Sequence, residues 1–154
     1  MMPQSAESIP LKHSHSLAMT IQLVEDNPMD VDLTLRAFAR RKLVNPVQVA
    51  RDGEEALAWI ARWEAGEPLP AAILLDLKLP RVNGLDVLRQ FKIHPLCRTI
   101  PVIVLTTSGE DHDVRTAYEL GANSYIIKPV EFSRFLEVVA QIELYWCITN
   151  KPPC

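Results

Sequence analysis

Cysteine is scarce in this chain of 154 residues, and so is any excess of charge. Cys97, Cys147 and Cys154 are odd in number and lack metal-ligand spacing, which argues for free thiols in a reducing cytoplasm over a disulfide framework. No apolar run approaches the roughly 20 residues of a transmembrane helix, so no membrane association is expected. The opening "MMPQSAESIPLKHSHSLAM" lacks the continuous apolar region of a signal peptide and reads as a polar tail over residues 1–18, His13 and His15 included. A net charge of −3 favours neither nucleic acid nor an anionic membrane. The basic stretch "RAFARRK" puts Arg36, Arg40, Arg41 and Lys42 on a solvated helix edge, without the aromatics that would stack on bases.

What is present is a regular alternation of short apolar runs and helical patterns. "TIQLVE" (20–25) reads as a strand, then Val31, Leu35 and Phe38 recur at helical spacing after Pro28. "VNPVQVA" (44–50) alternates as a strand, followed by a helical stripe of Ala56, Leu57, Ile60 and Trp63 that Gly66 and Pro68 stop. "AAILLDL", "IPVIVLTTS" and "NSYIIKP" are three further strands, each followed by a helical segment. Five strands and five helices in strict alternation predict a parallel sheet covered on both faces, in one domain over residues 19–148, with a short tail at 149–154. In such an α/β sheet the ligand site lies beyond the carboxyl ends of the strands.

Those ends carry chemistry. The first strand ends in Glu25 and Asp26, the third in Asp76, the fourth in Thr106 and Thr107, and the fifth in Lys128 before Pro129. Asp76 interrupts the run Ala71 to Leu77, a strand greasy enough to be buried on both faces, where a lone charge is costly. Three crowded carboxylates need a counter-charge, and Mg²⁺ is the natural hard cation. Helix capping accounts for one acid before "NP", not for two acids plus Asp76. Lys128 offers a point charge for a phosphoryl oxygen and Thr106 a hydroxyl donor, an arrangement suited to phosphoryl transfer with Asp76 as the nucleophile that forms an acyl phosphate.

"VEDNP", "ILLDLKLPRVNG", "VLTTS" and "YIIKPV", in this order and spacing, resemble the receiver domain of two-component response regulators. "LTTS", the "HPLCRTIP" segment and the ending "YWCITNKPP" make the chain most similar to the single-domain regulators paired with cyanobacterial and bacterial phytochromes. The resemblance implies an α/β, flavodoxin-like, doubly wound sheet in the order 2-1-3-4-5. It implies Asp76 as phosphoacceptor, and Mg²⁺ bound by Asp26, Asp76 and the Lys78 backbone carbonyl, with Glu25 acting through water. It further implies Thr106 and Tyr125 as switch residues, Lys128 as the phosphoryl-stabilising lysine, a cis bond before Pro129, and a histidine kinase, here a bacteriophytochrome, as phosphodonor. Two departures stand out: Thr107 replaces a usual small residue, and Lys78 puts a cation two positions beyond the acceptor.

Thr106 is expected to close on the new phosphoryl group, and Tyr125 to fill the vacated space. With no output domain in the chain, the signal is expected to leave by protein contacts. The last helix carries a wide apolar stripe, and Val138, Ile142, Tyr145 and Trp146 predict a homodimer face. Met29, Leu33 and Arg36 on the first helix predict the kinase docking strip. The alternatives are a phosphate-independent scaffold and an aspartyl-phosphate phosphohydrolase; the second is disfavoured because Lys78 stands where such enzymes carry a general acid. The expected role is therefore a phosphoacceptor signalling protein, not a turnover enzyme.

Overall fold

The computed structural model describes residues 19–43, 45–128, 131–137, 139 and 140. The cis bond at Pro129 and the dimer residues Val138, Ile142, Tyr145 and Trp146 lie outside the described residues. Strands β1 (Ile21–Val24), β2 (Val47–Ala50), β3 (Ala72–Leu75), β4 (Val102–Thr106) and β5 (Ser124–Ile127) alternate with helices α1 (Pro28–Arg40), α2 (Gly53–Glu64), α3 (Gly84–Ile93) and α4 (Asp111–Leu120). A fifth helix, α5, begins at residue 132. All neighbouring strands are parallel, in the order β2-β1-β3-β4-β5. That is the doubly wound, flavodoxin-like sheet the alternation and the resemblance predict.

Helices α1, α2 and α3 start where the sequence supplies a side-chain cap. Asn27 accepts from the backbone N–H groups of Met29 and Asp30 ahead of Pro28. Asp52 accepts from Glu55, and Asn83 from Leu85. Helix α4 ends at Gly121, whose φ of 111° is left-handed and open to glycine at little cost.

The sheet separates two cores, and strand alternation assigns residues between them. Val24, Ile73, Leu75, Val102 and Val104 face α2, α3 and α4, where Trp59, Trp63 and Phe91 fill the layer. Ile21, Leu23, Leu74, Ile103 and Leu105 face α1 and α5, against Val31, Phe38 and Phe135. Two helical stripes differ from the expectation. On α1 the buried set is Val31, Thr34, Ala37 and Phe38, while Leu35 is exposed. Thr34 can take a core position because its hydroxyl donates to the Asp30 carbonyl at 2.8 Å. On α2, Trp59 is buried with Ala56 and Trp63, while Leu57 and Ile60 are only half-buried.

At the amino ends of the strands, Lys92 is drawn under the sheet and donates to the carbonyls of Arg98 and Ile100 and to the Asn123 side chain, at 3.2, 2.9 and 3.2 Å. Burial holds its pKa below the ordinary lysine value. Buried Cys97 donates weakly to the Phe91 carbonyl.

At the carboxyl ends the chain must turn tightly after β3. Gly84 makes that turn possible: its N–H donates to the Leu77 carbonyl at 3.1 Å. A Cβ there would lie 2.4 Å from the Leu77 Cα and 2.7 Å from the Asp76 carbonyl oxygen, both backbone atoms. Gly84→Ala is therefore expected to destabilise the fold by about 1–3 kcal/mol, as overpacking does. The urea midpoint should fall at unchanged slope; an unaltered midpoint would show that the turn relaxes freely.

Candidate functional site

The strand-end residues are set by the sheet's own hydrogen bonds. The Glu25 N–H donates to the Ala50 carbonyl, that of Asp76 to Val24 and that of Lys128 to Thr106, at 2.9, 3.0 and 2.8 Å. Alternation then carries Glu25 after Leu23, Asp76 after Leu74 and Lys128 after Ile126 onto the face that α1 covers. The result is one knot of charge. The Lys128 Nζ donates to Glu25 Oε1 at 2.5 Å, Asp30 Oδ2 at 2.8 Å and Asp76 Oδ2 at 2.9 Å. The other Asp76 oxygen, Oδ1, accepts from the Thr106 hydroxyl at 2.7 Å and from the Lys78 backbone N–H at 3.0 Å.

Burial raises the cost of each charge, and the contacts decide which survives. Burial opposes ionisation of Asp76, but the Lys78 N–H, the Lys128 ammonium and the Thr106 hydroxyl outweigh it and hold the carboxyl below its ordinary value. Burial likewise opposes the Lys128 charge, yet its bonds to Asp30, Glu25 and Asp76 raise its pKa. Glu25 goes the other way. Its burial and the neighbouring Asp76 charge push it up to about 7, against the bond from Lys128.

Glu25, Asp30 and Asp76 each present a carboxylate oxygen within 4.8 Å of the others. Fully ionised, three carboxylates against one ammonium leave two negative charges, and hard oxygen donors suit a divalent cation. The site can therefore hold one.

Several anticipated residues are placed differently. Asp26 is exposed and outside this group, because it has the opposite alternation to Glu25. Asp30 takes a place in it that the strand ends alone did not foretell. Its only signal in the sequence is a first-turn position on α1, where an acid is ordinarily explained by the helix dipole. The Lys78 side chain and Thr107 are exposed, so neither intrudes on Asp76.

Thr106 already donates to Asp76 in this structure, and Tyr125 is packed against the core with its hydroxyl donating to the Ser108 carbonyl at 2.7 Å. The ionised Asp76 carboxylate is what attracts the hydroxyl. Ser108 was not foreseen; it is buried, and its Oγ donates to Asp113 on α4 at 2.5 Å. On α1, Met29 and Arg36 are exposed, with Arg36 paired to Asp32, while Leu33 is half-buried against the core. Among the described residues no helix is long and apolar enough to cross a membrane.

The Glu25 shift has two consequences of defined sign. Without metal, the folded state keeps a proton that the unfolded chain releases between pH 4.5 and about 7, so this group's contribution to stability falls as pH rises through that window. A divalent cation must displace that proton. Its affinity should therefore drop by up to about tenfold per pH unit below 7, measured by titration calorimetry from pH 8 to 5.5; a flat profile would show that Glu25 carries no such proton.

A family model described as "Response regulator receiver domain" matches residues 21–140. Among curated proteins, the probable methanogenesis regulatory protein FilR2 of Methanothrix harundinacea is 44% identical over 134 residues, 86% of this chain and 86% of its own length. The phosphorylated cyanobacterial phytochrome response regulator RcpA superposes with a TM-score of 0.80 at 37% identity, covering 89% of this chain and 99% of its own. The Mn²⁺-bound form of response regulator Rcp1, a protein known from Synechocystis, superposes with a TM-score of 0.78 at 35% identity, covering 88% and 99%.

Proposed function

The chain belongs to the response regulator receiver family, and on that premise we propose that it takes a phosphoryl group on Asp76 from a histidine kinase of the phytochrome type. The observation that carries this reading is an ionised, buried carboxylate at the end of the central strand, flanked by an ammonium and a hydroxyl. The similarity to RcpA, a phytochrome response regulator, supports the kinase class.

An Asp76 oxygen attacks the phosphorus of the donor phosphohistidine. The new P–O bond replaces the P–N bond, and the imidazole leaves with its electron pair and takes up a proton from solvent. The lowered pKa of Asp76 keeps it in the nucleophilic form. Lys128 turns one N–H from the carboxylate to a phosphoryl oxygen, and Thr106 donates to another, so charge is met by groups already in place. Mg²⁺, as the family resemblance implies it, would be held by Asp76, the Lys78 carbonyl and Asp26 once its exposed side chain turns inward, with Glu25 through water, and would further neutralise the phosphoryl oxygens; the Mn²⁺ in Rcp1 supports a divalent ion.

Thr106 and Tyr125 transmit the change. When Thr106 turns its proton from Asp76 to the phosphoryl group, the Ser108 segment follows, because the Ser108 N–H lies 3.5 Å from the Thr106 hydroxyl and its carbonyl holds Tyr125. The face formed by α4 and β5 then presents the signal; Tyr118 and Ile127 are exposed there. We assign the homodimer contact to this side together with Val138, Ile142, Tyr145 and Trp146, which enter from the sequence pattern alone, and the kinase contact to the α1 strip around Met29 and Arg36. A monomeric mass at high micromolar concentration, with and without phosphate, would remove the dimer.

The decisive test is intact mass after incubation with Mg²⁺ and acetyl phosphate, beside Asp76→Asn. The wild type should gain one phosphoryl group and Asp76→Asn none. No gain in either protein favours a phosphate-independent scaffold, and gain in both moves the acceptor elsewhere.

A further inference from the structure

An ammonium has three protons to donate, and Lys128 gives each to a different carboxylate. The three acceptors are not equivalent. Asp76 becomes an acyl phosphate, which takes one of its oxygens into a P–O bond and removes its charge. Glu25 borders the cation site. Asp30 presents an oxygen to the same cluster, but the proposed cation ligands are Asp26, Asp76 and the Lys78 carbonyl, which leaves Asp30 to Lys128.

Its place on α1 is fixed by two local bonds. Asn27 accepts from the Asp30 N–H at 3.4 Å as it caps α1, and the Thr34 hydroxyl donates to the Asp30 carbonyl at 2.8 Å. The backbone of Asp30 is thus tied on both sides, and its side chain is about one-third exposed, more than those of Glu25 and Asp76. Lysine by contrast is a point charge on a flexible four-carbon stem. A stem of that kind needs an anchor if its head is to stay over the acceptor while its bond to Asp76 changes.

We propose that Asp30 is a positioning residue for phosphoryl transfer. It holds the Lys128 ammonium in line with Asp76 while Asp76 becomes the acyl phosphate. It acts through Lys128 and is not itself a ligand of the divalent cation. The inference rests on Asp76 being the phosphoacceptor.

The test is the rate of phosphorylation by acetyl phosphate at saturating Mg²⁺, followed by intact mass, for wild type, Asp30→Ala, Asp30→Asn, Lys128→Ala and Asp30→Ala with Lys128→Ala. Far-UV circular dichroism checks the fold of each, and Asp30→Asn preserves shape and an acceptor oxygen should the alanine variant fold poorly. Asp30→Ala is expected to slow the reaction by about tenfold, with Asp30→Asn between it and the wild type. In the Lys128→Ala background the same change should cost nothing further. Mg²⁺ affinity by calorimetry should move by less than about threefold.

Equal rates for wild type and Asp30→Ala would overturn the proposal. So would a full tenfold loss in the Lys128→Ala background, which means that Asp30 acts without the lysine. A fall in Mg²⁺ affinity large enough to explain the rate would make Asp30 a metal ligand instead. A wild type that takes up no phosphate would overturn the acceptor reading itself, and is seen in the control before any variant is compared.

Discussion

Everything at the carboxyl edge of this sheet depends on one cation that the fold can place where no water-rich surface would be needed. Lys128 enters from the end of the last strand and reaches Glu25, 103 residues earlier in the chain, Asp76 on the central strand and Asp30 on the first helix. Removing the ammonium would leave buried carboxylates facing one another, the costly half of a broken buried pair. The same contacts that make the acids tolerable keep Asp76 ionised. Stability of the edge and readiness of the nucleophile thus share the Lys128 bond to Asp76, to which the Lys78 N–H and the Thr106 hydroxyl add.

The sheet explains why these groups meet. Parallel register fixes which residue follows each strand, and alternation fixes the face on which it emerges. Leu23, Leu74 and Ile126 belong to one core, so the charged residues two positions later share that side. On the other side Thr106 lies among β4 residues of the opposite core and reaches Asp76 from there. The acceptor is gripped from both faces of the sheet. Ser108 then connects Thr106 to helix α4 through Asp113 and to β5 through Tyr125.

Much of this was legible from residue order. Strict alternation of strand and helix, with acids, a threonine and a lysine at strand ends, prescribes both the sheet and the location of the cleft. Asp76 announces itself because a carboxylate in an apolar run needs a partner. Asp30 does not, because an acid in a first helical turn is accounted for by the helix itself, and only the folded position of α1 turns it toward Lys128. Leu35 and Thr34 illustrate the same limit. Hydrophobicity ranks leucine inside and threonine outside, yet the hydroxyl satisfied within its own helix lets Thr34 be buried. Trp59 belongs to the buried stripe for a geometric reason, since it lies three residues from Ala56 and four from Trp63 on the face that meets the sheet.

The lysine knot at the other end of the sheet offers a contrast. Lys92 is also held by three acceptors, but they are two carbonyls and an amide, none of which gains or loses charge in water. A dissolved ion or a covalent phosphate arriving at the upper edge meets carboxylates whose charge changes with it, whereas the three acceptors around Lys92 keep theirs. The two lysines are therefore held in different ways: one rim is a receptive electrode, the other a mount of neutral acceptors. Spectroscopic probes attached near Asn123 or Arg98 would serve as an internal zero against which movements of the opposite rim are read.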